Sequence, residues 1–418
     1  MPEKSDPLIG HTLSSEFIDS AGAPIGVVRM DPQKSIVAVP ELLQKYINES
    51  DSAAWQEIRE RIDYTYAALD LALRSLDEAT GFGKKVKAQV KEGKKALFKP
   101  NIVNPVCIDP VTHGEGSGGP ACTPWAFIAA LMRWFHDTLE IPYHSTAVGE
   151  AGTGISNVSR QFSLTLNGGQ PFPTEALFEG RYKNVYGGWG FYFARKYLSD
   201  VHPRGHDDDP MNGYEESVSG TYLPPGQASR QLMIYDLNRL FDVPSKWKDV
   251  VVPDGANFKE ITLHKVIVGA DPQDAKDFRD YPGCVLVNVP RLKIHTQALL
   301  TNAIKNLGIG LYPMEAASRE NPASTRWKYS SPFEPTPTLK SGIPHSVWLS
   351  KIDEKTGLPL RDEKGHYVVT KCAGLSGTMV DIVKAVQSQG IFSLHVVDAI
   401  ETVNVRHDGY PDSVRLPE

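Results

Sequence analysis

Residues 284–308 read CVLVNVPRLKIHTQALLTNAIKNLG. An apolar run, Val285, Leu286, Val287 and Val289, ends at Pro290 and is followed at once by Arg291, Lys293 and His295. A short continuous apolar run closed by a breaker reads as a buried strand, because proline has no N–H to continue the ladder. Such a strand delivers cations and an imidazole to its carboxyl end, the edge at which open α/β sheets place their ligands. Lys305 and Asn306 follow on a segment, Thr296 to Gly308, that reads as a helix. The stretch predicts an α/β fold, a mostly parallel or mixed sheet flanked by helices, with an anion or acid–base site along one rim.

The flanking sequence extends this pattern. Ala96 to Phe98 form a short strand that runs into Lys99, Pro100 and Asn101. Thr123 is a suitable N-cap with Pro124 at the first helical position, and Trp125, Ile128, Leu131, Met132 and Phe135 continue as an apolar helix. Ser145 to Val148 read as the next strand, and Gly149-Glu150-Ala151-Gly152-Thr153-Gly154 as the turn after it. Strand, helix, strand at this spacing predicts a parallel crossover. Leu232 to Leu237 and Thr262 to Val268 read as further strands, Thr378 to Val386 as a helix, and Ile391 to Val397, ending at Asp398, as the last strand. Trp55, Ile58, Ile62, Tyr66, Leu69, Leu73 and Leu76 step by threes and fours, which makes one apolar helix face directed to the core. The lysine-rich GKKVKAQVKEGKK after it reads as a solvated helix or linker, since no aromatic residues are interleaved.

These elements divide the chain into a mixed segment at 1–50 and an α/β core at 51–312 and 374–418. Val27, Val28, Ile36, Val37 and Val39 suggest two short strands around the Asp31-Pro32 turn. An insertion at 155–230 loses periodicity and gathers glycine, proline and aromatics, among them Tyr182, Tyr186, Trp189, Phe191, Tyr192 and Phe193. Connections of that length are lids, insertions or partner surfaces. A second insertion at 313–373 is rich in proline and serine and contains a hairpin turn at Asp362-Glu363-Lys364-Gly365.

The net charge of -6 over 418 residues argues against nucleic acid or an anionic membrane as partner, so an anion site must be built locally. The first residues lack a basic start, an apolar core and a small-residue cleavage site, and the most apolar window, Trp125 to Phe135, is too short for a bilayer and holds Arg133. A soluble, cytoplasmic protein is expected. Cys107, Cys122, Cys284 and Cys372 lie far apart with no C-x-x-C pair, which signals neither an iron–sulfur cluster nor structural zinc and agrees with a reducing compartment.

In a parallel sheet the strand ends share one edge, so Lys99 and Asn101, Glu150 with its glycines, Lys293 and His295, and Asp398 are expected to meet in one cleft. Lys293 and His295 are two apart on an extended chain and share a face. Lysine holds a carboxylate or phosphate as a point charge, and histidine gives or takes a proton near neutrality. Thr301 lies one helical turn before Lys305 and could face the same way. The turn through Gly152 leaves backbone N–H groups open to an anion, although it fits neither the P-loop nor the full dinucleotide spacing. Glu150 is a candidate general base or metal ligand. His206-Asp207-Asp208-Asp209 could take a hard cation, and reads more simply as a solvated loop; no H-E-x-x-H pair and no G-x-S-x-G elbow occurs.

Taken together, LFKPNIVNP at 97–105, ACTPWAFIAALMRWF at 121–135, STAVGEAGTG at 145–154 and VLVNVPRLKIHTQALLTNAIKNLGIGL at 285–311 resemble the bacterial and archaeal family called domain of unknown function 362. The resemblance implies that Lys99, Asn101, Thr123, Glu150, Lys293, His295, Thr301, Lys305 and Asn306 occupy the family's signature positions. Many relatives carry cysteine-rich ferredoxin-like segments, which this chain lacks, so a redox role would require a separate iron–sulfur partner. Relatives typically continue past the strand at VVDAI through a Gly-rich unit. Here that unit would be missing or supplied by a protein partner or a second copy, which leaves the role of Asp398 open.

Two functions are expected from these residues. The first is an enzyme with a small anionic substrate, its charge held by Lys99, Lys293 and Lys305, with Asn101, Thr123, Gly152, Thr301 and Asn306 around it and His295, Lys293 and Glu150 in acid–base roles. The rival is a cofactor- or divalent-metal-binding redox protein in which His295 and Glu150 are ligands and the aromatic insertion docks a partner.

Overall fold

A computed structural model describes residues 15–20, 23–101, 122–151, 191–202, 233–237, 246–295, 299–313, 347–351, 353, 355–356, 360–403 and 413–415. In chain order the elements are β1 (Ser15–Ser20), β2 (Ala23–Val28), α1 (Val39–Asn48), α2 (Ser52–Thr80), α3 (Phe82–Lys91), β3 (Lys95–Pro100), α4 (Trp125–Leu139) and β4 (Thr146–Glu150). They continue with α5 (Phe191–Val201), β5 (Met233–Asp236), β6 (Trp247–Val251), β7 (Glu260–His264), α6 (Lys265–Val268), α7 (Ala275–Asp280), β8 (Cys284–Val289), β9 (Lys293–His295), β10 (Leu299–Thr301) and α8 (Ala303–Gly308). The last are β11 (Trp348–Ser350), β12 (Val369–Lys371), α9 (Gly374–Ser388), β13 (Ser393–His395), β14 (Glu401–Val403) and β15 (Ser413–Arg415).

The α/β fold is as expected. Five strands form one sheet in the order β13-β8-β3-β4-β5, and each neighbouring pair is parallel. The short antiparallel pairs β1–β2, β6–β7, β9–β10, β11–β12 and β14–β15 lie outside this sheet. Both faces are covered, which is why β8 is buried at every position and reads as an apolar run interrupted only by Asn288. Ala96, Phe98, Val285, Val287 and Val289 point into one core with α2, α4 and α5, while Leu97, Cys284 and Leu286 point into the other with α6, α8 and α9. From β3 the chain builds outward to β4 and β5, then returns to lay β8 on the other side of β3. The reversal of direction falls between β3 and β8, and in sheets of this kind the crevice beyond such a switch point is where ligands sit.

The helices follow their sequence signals. Asp51 caps α2 by accepting from Ala53 N and Ala54 N, Gly81 ends it in the left-handed region at φ 62°, and Trp55, Ile58, Ile62, Leu69 and Leu73 are buried on its inner face. The lysines of the following segment lie on and just after α3. α4 is buried almost all round because it is held between the sheet, α2 and α5.

Five expectations need correction. Ile36, Val37 and Val39 form no strand: Ile36–Ala38 is a 3-10 turn whose start Ser35 caps, and Val39 opens α1 with Pro40 in its first turn. Thr123 does not cap α4; Pro124 is the N-cap, and the threonine hydroxyl is used to join strands. The expected strand Thr262–Val268 stops at His264, whose imidazole accepts from Val266 N and turns the chain into α6. Thr296–Gly308 is not one helix: β9 and β10 form a hairpin, with 296–298 outside the described residues, and only Ala303–Gly308 is helical. Asn302 explains the late start, since its side chain accepts from Ala303 N as the cap. Lastly, 155–230 is not irregular throughout, because α5 lies in it and Phe193 is buried with its ring centroid 5.8 Å from that of Trp125. Tyr182, Tyr186 and Trp189 lie outside the described residues. The hairpin turn at Asp362–Gly365 is present: Asp362 Oδ1 accepts from Lys364 N and His366 N, and Gly365 has φ 82°.

Candidate functional site

Strand alternation sets the first layer of the site. Lys99 follows Leu97 on the face of β3 toward α8 and α9, and its register partner on β8 is Asn288, which follows Leu286 on the same face. α8 crosses above them and lowers Asn306 between the two. The Asn306 side-chain N–H group donates to Lys99 O at 3.1 Å and to Asn288 Oδ1 at 2.7 Å, while Asn306 Oδ1 accepts from Lys99 Nζ at 3.3 Å. Asn288 in turn donates to Ala303 O at 3.0 Å, which ties α8 down by its first residue.

Lys99 is wholly buried, and its ammonium donates to Glu150 Oε2 at 2.6 Å, to Asn306 Oδ1 and to Pro100 O. Three acceptors match the three N–H bonds of an ammonium, which is the charged form of the side chain. Burial pushes the Lys99 ammonium below its ordinary range, and the adjoining Glu150 carboxylate opposes this. The second oxygen of Glu150 accepts from Ala151 N at 3.0 Å. Gly310 makes the approach of α8 possible: a Cβ there would stand 2.2 Å from Asn306 O and 2.8 Å from Lys99 Nζ. Gly310→Ala is therefore expected to lower stability by about 1–3 kcal/mol, the cost of overfilling a close-packed site. Chemical denaturation checks this, and an unchanged midpoint would show that the turn yields freely.

Thr123 joins the ends of three elements. Its hydroxyl accepts from Asn101 N at 2.9 Å and donates to Val289 O at 2.8 Å, and its own N–H donates to Asn101 O at 2.9 Å. Beyond Pro290 the chain passes Arg291, buried, with Nη1 donating to Cys122 O at 3.1 Å and lying 3.6 Å from Asp398 Oδ2. Leu292 N donates to Asp398 O at 2.9 Å, so the last strand of the sheet reaches the rim there. Burial pushes the Asp398 carboxyl up, and Arg291 opposes it.

Lys293 is wholly buried on β9, and its register partner across the hairpin is Thr301. Burial pushes its amine down to about 7, with Lys305 and Arg291 adding to the effect and Cys122 and Glu150 opposing it. The Lys99 amine, like that of Lys293, is influenced by Glu150 and Cys122. Thr301 Oγ1 is buried without a hydrogen-bond partner among the described residues. Lys305, on α8, is half-buried and pushed down to about 8 by burial.

Hydrogen bonds join Lys99 with Glu150 and Asn306, and Asn101 with Thr123, while Lys293 pairs in register with Thr301 and Lys305 precedes Asn306 on α8. The side chain of His295 and the whole of Gly152 lie outside the described residues, as do His206 and the acidic run after it. Two participants went unrecognised in the sequence reading. Asn288 had a signal, an amide in the middle of an otherwise apolar strand; Cys122 had none.

The fold is a parallel α/β sheet flanked by helices, with Lys99 and Lys293 wholly buried on and beyond the strands β3 and β8 that meet where the strand order reverses. The family model for Domain of unknown function (DUF362) matches residues 231–415, which bears out the resemblance read from β8 to α8. The segments at 97–154 that share the site lie outside the matched span. No curated protein and no solved structure matches the chain. Among the described residues, no helix is long and apolar enough to cross a membrane.

Proposed function

We propose that this protein is an enzyme that takes a small carboxylate or phosphate at the rim beyond β3 and β8 and exchanges a proton with it. The observation that carries the reading is the pairing of Lys293 with Thr301. The wholly buried amine-bearing Lys293 stands in register opposite Thr301, whose buried hydroxyl has no partner among the described residues. Directly opposed cross-strand partners have their Cβ atoms about 5 Å apart and project to the same face of the hairpin. Lys305 and Arg291 add positive charge around Lys293.

The roles then separate by geometry. Lys99 spends its three N–H bonds inside the protein, so it braces Glu150 and Asn306 and sets the positive field. Lys293, Lys305 and Thr301 take the anion. An amine with a pKa of about 7 is an effective acid–base group at neutral pH, so Lys293 moves the proton, with His295 two residues along β9 as the second candidate. Glu150 holds the Lys99 pair together. This engagement of its carboxylate favours the anion reading over one in which Glu150 ligates a metal.

Sulfate titration tests the proposal, because the charge of sulfate is constant over the relevant range. Bound sulfate favours the ammonium forms of Lys293 and Lys305, whose pKa values lie at about 7 and about 8. Affinity is expected to be full below the lower of these and to fall as the pH rises through both. Calorimetry near neutrality, in buffers of different ionisation enthalpy, should show proton uptake on binding. A sulfate affinity that ignores pH, or that survives Lys293→Met unchanged, would overturn the assignment.

A further inference from the structure

The opposite edge of the sheet holds a second cluster. His136 and Asp137 lie in the last turn of α4, and His202 follows directly on the C-terminus of α5, its N–H donating to Leu198 O at 2.8 Å. Asp137 Oδ1 stands 3.1 Å from His136 Nδ1 and 2.9 Å from His202 Nε2. The two imidazole centroids are 4.3 Å apart, and one ligand atom from each of the three residues lies within 4.8 Å of the others. All three side chains are partly exposed, between 24% and 29%.

We propose that His136, Asp137 and His202 bind a divalent transition-metal ion of the zinc type, with the remaining coordination positions left to water or a small ligand. Two imidazoles and one carboxylate are a donor set that suits such ions and that magnesium or calcium does not favour. Their surroundings are arranged as metal sites arrange theirs. Tyr143, wholly buried, has its hydroxyl 2.8 Å from His202 Nδ1. With Nδ1–H donating to that oxygen, Nε2 is the bare nitrogen and faces Asp137. Tyr143 also stacks on His136 at 4.5 Å and 13°, which fixes the second ring. Arg133 Nε lies 3.2 Å from Asp137 Oδ2, so it holds one carboxylate oxygen and leaves Oδ1 toward both imidazoles. The C-terminal ends of α4 and α5 converge here, and the partial negative charge of each favours a cation.

The consequence is a fastener. α4 spans 15 residues, roughly 22 Å at the helical rise, so the cluster is remote from the lysine site at the other end of the helix. An ion at this place clamps α5 onto α4 and so fixes Phe193 beside Trp125 and Tyr197 against Arg133.

The test uses the full chain stripped with chelator. Zn²⁺ titration should give one tight site per chain, and the Cu²⁺-loaded protein should show two coupled nitrogens by electron paramagnetic resonance. His136→Gln and His202→Gln should each remove one nitrogen and abolish tight binding. Tyr143→Phe should weaken Zn²⁺ roughly 10- to 100-fold while keeping both nitrogens. The wild-type spectrum and the tyrosine variant decide the matter even if a histidine variant folds poorly. Failure of the wild-type chain to bind Zn²⁺, binding unchanged in both histidine variants, or a Cu²⁺ spectrum without two nitrogens would each overturn the site.

Discussion

Glu150→Gln is expected to destabilise the protein by about 3–5 kcal/mol, the usual cost of removing one partner of a buried ion pair. The reason is the fate of Lys99. Its ammonium is wholly buried and draws its principal compensation from Glu150 Oε2 at 2.6 Å. A neutral amide in that place keeps the volume and loses the charge, so the ammonium must release its proton or remain uncompensated. Pairing Lys99→Met with Glu150→Gln should recover much of the loss, because the charge that suffered is removed along with its partner. Urea unfolding of the two single variants and the double variant measures the coupling. Strictly additive losses would mean that the two side chains act separately and that the pair does not organise the rim.

Lys293→Met is expected to raise the stability of the protein without ligand and, at the same time, to abolish stabilisation by sulfate. In the folded chain the amine titrates at about 7 against an ordinary value of 10.5. Each unit of that displacement corresponds to about 1.4 kcal/mol, so the buried amine costs the fold several kcal/mol at neutral pH. The sign follows from proton counts. Between the folded and unfolded pKa values the unfolded chain binds more protons, so this lysine makes wild-type stability rise with pH across that interval. Below the folded value the penalty is present in full. Methionine has similar length and no charge to desolvate, so the variant should lose this slope and melt higher in the neutral range. Thermal melts across pH, with and without sulfate, read both effects. Collapse of the variant without ligand would make Lys293 a structural residue, and retained sulfate stabilisation would remove it from the proposed site.

The same lysine shows how the sequence informed the reading and where it misled. The apolar run of β8 and its stop at Pro290 were legible because a strand covered on both faces tolerates few polar side chains. The stripe of α2 was legible for the corresponding reason at the helical period. Thr123 looked like a cap because the local pattern of threonine before proline is a cap signal. The structure uses its hydroxyl to reach Asn101 N and Val289 O instead, a demand set by β8, far away in sequence. The segment after His295 looked helical by composition, yet the backbone pairs as a hairpin, which turns Thr301 from a helical neighbour of Lys305 into the cross-strand partner of Lys293. Ile36, Val37 and Val39 favour strands as residue types, and a serine cap with a following proline prevailed over that preference.

By itself the sequence determined the α/β class, the buried strands and the collection of basic groups that follow them, because hydrophobic period and chain breakers act locally. Only the tertiary structure decided which of those groups meet and what each is free to do. Strand order brought β3 and β8 side by side, so Lys99, Glu150 and Asn306 close on one another and Lys293 is left facing Thr301. Burial then set the charge balance, because the cost of desolvating an amine depends on what surrounds it in space and not on its neighbours along the chain.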